Sequence, residues 1–139
     1  MPFAEGTTVP VEKTSMEIER LARKYGAKEY GTGWGAGTAS VIFLIKGRRV
    51  RFTIELPTPD WARKKFGAAD PKKIAAEERR RWRCLLLRIK GKLEAVESGI
   101  AEFDEEFLSV IVDQGGQTIW ERVRQMQGEG RPMLPPIQP

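Results

Sequence analysis

The stretch Val41-Ile-Phe-Leu-Ile45-Lys46-Gly47-Arg48-Arg49-Val50-Arg51-Phe52-Thr53-Ile54-Glu55-Leu56 decides the fold. Five consecutive apolar residues, Val41–Ile45, read as a buried strand. After them Val50, Phe52, Ile54 and Leu56 alternate with Arg49, Arg51, Thr53 and Glu55, the period of two that places one face on a core. Lys46-Gly47-Arg48 supplies a turn between the two runs, so the pair predicts an antiparallel hairpin with Arg49 and Arg51 pointing outward. Pro57 and Pro59 end the second strand.

Upstream of the hairpin, Thr14-Ser-Met-Glu17 has the spacing of a capping box. The helix it predicts carries Ile18, Leu21, Ala22 and Tyr25 on one face, and Gly26 stops it. Lys28 to Trp34 reads as a short strand fraying into Gly31-Thr-Gly33-Trp-Gly35-Ala-Gly37. A dinucleotide loop needs a strand before such glycines and a helix after them. Here a helix precedes and a strand follows, so a flexible or bulged strand end is the expectation.

Downstream, residues 57–69 read as a loop with one helical turn at Trp61–Phe66. Asp70-Pro71 is a strong helix start, an N-cap acid followed by proline at the first helical position. The helix it opens runs to Ser98 and stops at Gly99. Ile74, Trp82, Leu85, Leu86, Ile89, Leu93 and Val96 form its core stripe, and Lys72, Arg79, Arg83 and Lys90 form a line beside that stripe. Gly91 costs about 1 kcal/mol inside a helix and marks a bend or a close contact. Phe103, Phe107 and Val110 or Ile111 then recur at helical spacing. A second capping box, Thr118-Ile-Trp-Glu121, opens a last short helix to about Gln127. The sum is one α+β domain over residues 14–127: an N-terminal helix, a three-stranded antiparallel sheet, a long helix packed on it and two short C-terminal helices. Residues 1–13 read as an extended arm and 128–139 as a Pro-rich tail.

Composition narrows the chemistry. With no histidine and one cysteine in 139 residues, His-based acid–base catalysis, the usual triads and a structural zinc site are excluded. The lone Cys84 fits a reducing compartment. The longest apolar run falls far short of the ~20 residues that span a bilayer, and the N-terminus has no apolar leader, so a cytoplasmic protein without a membrane partner is expected. Asp60 and Asp70-Pro-Lys72 mimic a nuclease pattern, but Asp70 is already explained as a cap. Glu102–Glu106 reads as a solvated acidic turn rather than a metal site. The expected protein is therefore no enzyme and carries no cofactor.

Charge supplies the functional signal. Between Leu44 and Lys92 there are 16 Lys/Arg against 5 Asp/Glu, a balance of +11, whereas the rest of the chain holds 8 against 14, or −6. Such segregation is a footprint for a polyanion. Candidate phosphate contacts are Lys46, Arg48, Arg49 and Arg51 on the hairpin, and Lys72, Arg79, Arg83 and Lys90 on the helix. Trp61, Arg63, Lys64, Lys65 and Phe66 interleave aromatics with cations, the mixture that single-strand binders use. Trp82 belongs to the core stripe.

Several segments carry a resemblance: Val9-Pro-Val-Glu-Lys-Thr14, Gly47-Arg-Arg-Val-Arg-Phe52, Arg81-Trp-Arg-Cys-Leu-Leu-Leu87, Lys92-Leu-Glu-Ala-Val-Glu97 and Phe103-Asp-Glu-Glu-Phe107. Together they resemble small uncharacterised proteins of bacteriophages and prophages, which implies a phage origin and transfers no activity. The order helix, three strands, helix, with Lys72-Lys73-Ile74-Ala75 at the second helix, is also similar to double-stranded RNA-binding domains. The expectation is an accessory protein that binds nucleic acid, DNA before RNA and single strands first, in replication or recombination. The alternative is a protein-interaction module that inhibits a host defence complex. Open sheet edges and extended ends leave a homo-oligomer possible.

Overall fold

Lys46 and Gly47 close the hairpin with both residues in the left-handed region, at φ 51° and 75°. That geometry matches the twist of the flanking strands, and it makes the turn two residues long rather than three. Arg48 therefore opens the second strand and pairs with Ile45. The computed structural model, which describes residues 8–138, builds the expected α+β fold around this hairpin. In chain order the elements are α1 (Val11–Lys24), β1 (Lys28–Gly35), β2 (Thr38–Ile45), β3 (Arg48–Glu55), α2 (Pro59–Phe66), α3 (Pro71–Glu97), α4 (Phe103–Phe107) and α5 (Ile119–Gly128). A 3-10 turn, Leu108–Val110, follows α4.

The sheet is antiparallel in the order β1-β2-β3. Ala39, Val41, Phe43 and Ile45 of β2 and Val50 and Phe52 of β3 are buried on its inner face, where Trp82, Leu85, Leu86, Ile89 and Leu93 of α3 join them. Each fully buried large apolar side chain contributes about 1.5–3 kcal/mol. Phe43 stacks on Phe52, and Phe107 of α4 meets Phe52 edge-on, which seats α4 against the same core. Ile111 and Val112 then bridge to β3 and to Thr118, and the Val112 amide donates to the Arg49 carbonyl at 2.8 Å. Beyond Phe107 the chain stays helical through the 3-10 turn, with the Ile111 amide donating to the Phe107 carbonyl at 3.1 Å, and then turns extended along this edge.

Other local readings change as well. The α1 helix begins at Val11 behind Pro10, so residues 11–13 of the expected arm are helical; its first seven residues lie outside the described ones. Thr14 is not a cap but a buried residue inside α1, its hydroxyl accepting from Arg83 at 3.4 Å while the Glu17 carboxylate also binds Arg83. Tertiary partners have taken both halves of the expected capping box.

The glycine run is regular strand up to Gly35, paired residue for residue with β2 from Gly31 onward; the irregularity lies earlier, between Lys28 and Gly31. Trp61–Phe66 belongs to a longer helix, capped by the Thr58 hydroxyl and closed by Gly67 at φ 83°. The α3 helix begins at its Asp70 cap as expected and runs unbroken through Gly91, where open space surrounds the position of a Cβ. Close packing is therefore not the reason for that glycine. No described helix is long and apolar enough to cross a membrane.

Candidate nucleic-acid interface

The basic middle of the sequence does not stay segregated in space. Eight of its sixteen cations form ion pairs: Arg48, Arg49, Arg51, Arg63, Arg80, Arg81, Arg83 and Lys92. Glu17, Glu29, Asp104, Glu106 and Glu121, which lie outside residues 44–92, fold back to meet five of them. The hairpin is most affected. Arg48 makes a two-pronged bond to Asp104 at 3.0 and 2.7 Å, and that guanidinium holds the Asp104 carboxyl below its usual range. Arg51 reaches Glu121 at 2.5 Å and the Gly116 carbonyl at 3.2 Å, fastening α5 to the sheet. Burial pushes the Glu121 carboxyl up, but the Thr118 amide and Arg51 outweigh it and leave the group lowered. Arg49 sits 3.8 Å from Glu29, a long exposed pair of little energetic weight. Lys46 alone at this end has no ion pair among the described residues.

The helical line Lys72, Arg79, Arg83 and Lys90 does share one side of α3, but that side looks toward α1. Arg83 is the clearest case, with its side chain only 12% exposed and bonded to Glu17 at 3.0 Å. It ties two helices together and is not available to a phosphate. Arg79 has a buried Nε without a partner. Lys90 lines a groove of about 580 Å³ floored by Leu21, Leu86 and Leu87.

The aromatic–basic segment gathers as expected, and α3 adds to it. Trp61 and Phe66 of α2 meet edge-to-face at 5.7 Å. The Lys65 ammonium lies 5.5 Å from the Trp61 ring centre and 5.8 Å from that of Phe66. From α3, Lys73 approaches Phe66 at 4.3 Å and Arg81 approaches Trp61 at 5.4 Å. Arg63 is held by Asp60, whereas Lys64, Lys65, Lys72 and Lys73 have no ion pair among the described residues. Half of the eight unpaired cations of the basic middle thus belong to one corner, where α2 ends and α3 begins. Its first turn holds no acid, so Lys72 and Lys73 add to the positive end of the helix dipole.

From that corner a basic track runs along α3. At about 100° per residue, Lys73, Glu77, Arg80, Arg81 and Arg88 share a second side of the helix, about 130° round from the Arg79/Arg83/Lys90 line. Glu77, 7% exposed at its side chain, accepts from Arg80 at 2.7 and 2.8 Å and from Arg81 at 2.7 Å. Arg80, then burial opposing it, then Arg81 set the Glu77 pKa, which is lowered to about 2. Arg81 also donates to the Glu55 carbonyl at 2.8 Å. A shallow pocket along this side is lined by Glu55, Arg80, Arg81 and Arg88, and Glu55 and Arg88 also line a second cavity of about 520 Å³. That cavity lies between β3, the 3-10 turn and α5, with Arg124 and Trp120 on its far wall. From Lys73 to Arg88 the helix advances about 22 Å.

No protein-family model, curated protein or solved structure matches this chain. The resemblance to phage proteins rests on its sequence segments alone. Lys73, Arg80, Arg81, Arg88, Trp120 and Arg124 were not singled out by charge counting. The first four show the signal that could have found them, a second basic line in the helical projection of α3. Trp120 and Arg124 show none, because α5 holds only two arginines against one glutamate and forms no basic line.

Among the described residues no group of three or more acids, cysteines or histidines is placed to hold a metal. Asp70 accepts from the Lys72 amide at 2.9 Å, the geometry of a cap. Cys84 lies 3.6 Å from an Arg80 nitrogen and is exposed.

Proposed function

We propose that this protein is a non-enzymatic nucleic-acid binder with single-stranded DNA as its target, an accessory factor in phage replication or recombination. One observation carries the reading: two aromatic rings of α2 are packed against each other, and cations from both α2 and α3 lie within 4.3–5.8 Å of the ring centres. Bases stack on such rings for about 1–3 kcal/mol each while cations follow the phosphates. The unpaired lysines at the corner and the arginines along α3 supply that second part. The interface so proposed is the corner and its track, with Trp61, Lys64, Lys65, Phe66, Lys72, Lys73, Arg80, Arg81 and Arg88, and not the hairpin tip.

Labelled single-stranded oligonucleotides are expected to shift on native gels, with affinity falling steeply as salt rises. Replacing Lys65 and Lys73 by alanine should lower the slope of log K against log salt by about 1.4, from ~0.7 per lost single-strand phosphate contact. Unchanged mobility of single strands at low salt would remove this reading.

A second reading, a protein-interaction module acting on a host defence complex, draws on the groove between α1 and α3. Arg20, Leu21 and Lys24 face Leu86, Leu87 and Lys90 across it, an apolar floor rimmed by three cations that have no ion pair among the described residues. An acidic amphipathic helix has the complementary chemistry. If this reading holds, one host protein is retained from nuclease-treated lysate and is lost with Leu87→Glu. Retention that survives Leu87→Glu argues against the groove.

A further inference from the structure

The 520 Å³ cavity at the far end of the track is lined mostly by charged and hydroxyl-bearing residues, walled on several sides and of a size that takes a small ligand. Its charges are not all internally satisfied. Arg51 and Glu121 neutralise each other at 2.5 Å, and the Thr118 amide also occupies Glu121 at 2.7 Å. Arg88 and Arg124 have no carboxylate partner among the described residues, and neither does the Glu55 carboxylate have a cation. Removing the satisfied pair leaves two cations and one anion on the walls, a net charge matched by a single phosphodiester. Trp120, 48% exposed, adds an aromatic ring to the lining.

Resting on the nucleic-acid reading, we infer that this cavity receives one unstacked nucleotide of the bound strand and that Glu55 makes it prefer a base with an exocyclic amine. Arg88 and Arg124 hold the phosphodiester, Trp120 carries the base, and the Glu55 carboxylate accepts from the amine. A carboxylate is an acceptor only, so it rewards the N4 amine of cytosine and repels the O4 carbonyl of uracil or thymine. Continuity supports the assignment: Glu55 and Arg88 line both this cavity and the shallow pocket shared with Arg80 and Arg81, so a strand leaving the α2 corner along α3 arrives here.

The test compares oligo(dC) with oligo(dU) of equal length by fluorescence anisotropy at fixed salt, because these bases lack the methyl group and differ at the edge that Glu55 would read. Oligo(dC) is expected to bind about fivefold or more tightly. Glu55→Ala should bring the two affinities within twofold without unfolding, since the side chain is exposed and the main-chain carbonyl that holds Arg81 remains. Trp120→Ala should weaken both. Equal affinity in the unmodified protein, or a dC preference that survives Glu55→Ala, overturns the inference while leaving the binder intact. Absence of binding by both oligonucleotides overturns the nucleic-acid reading and the inference with it.

Discussion

Phe52→Ala is expected to destabilise the protein by about 3–5 kcal/mol, the range for deleting a buried aromatic ring. A chain of this length is stable by about 7–20 kcal/mol in total, so the loss is a large share of it. Phe52 is fully buried, with Phe43 at 6.1 Å on one side and Phe107 edge-on at 6.2 Å on another. It therefore joins the sheet to α4, and the Arg88 guanidinium lies 5.2 Å from its ring centre. Alanine leaves a cavity that Phe43 and Phe107 cannot close together, because one belongs to a strand fixed on both sides and the other to a helix. Urea unfolding measures the effect as a lower midpoint at unchanged slope. Phe52→Leu should cost far less, about 1.5 kcal/mol, since most of the volume remains. A Phe52→Ala loss under 1 kcal/mol would show that this aromatic layer is not what joins the elements.

The hairpin and α3 were legible because local signals and tertiary packing agree there. Period-two alternation set the inner face of β3, and Asp70-Pro71 fixed the start of α3 by a bond between neighbours in sequence. Thr14 was misread because the same residue types serve a cap or a buried contact. Only the position of Arg83, 69 residues away, decides between them. The candidate site was legible in part for a related reason. Trp61 to Phe66 is a local cluster, and its rings do meet. The hairpin cations read as phosphate contacts because the partners of Arg48 and Arg51, Asp104 and Glu121, lie 56 and 70 residues further along the chain. A segregated sequence charge becomes a segregated surface charge only when folding does not bring the opposite sign back.

Glu77 is where stability and the proposed interface meet, and Glu77→Gln is expected to cost on the order of 2–3 kcal/mol at neutral pH. One carboxylate, nearly buried, accepts from both Arg80 and Arg81, and those bonds lower its pKa from 4.5 to about 2. A depressed carboxylate contributes stability that is fully present above its unfolded value near 4.5. That stability is lost as pH falls through the window from 4.5 toward 2, because the unfolded chain takes up the proton first. The unmodified protein should thus lose stability on acidification across this window more steeply than the glutamine variant. Their unfolding free energies should converge near pH 2. Glutamine preserves the shape of the side chain, so convergence separates loss of the charged acceptor from loss of packing. A constant gap between the two proteins from pH 7 to pH 2 would mean that the pair with Arg80 and Arg81 does not hold the side of α3 on which the track lies. The arginines would then be oriented by their contacts with Trp61, Cys84 and the Glu55 carbonyl instead.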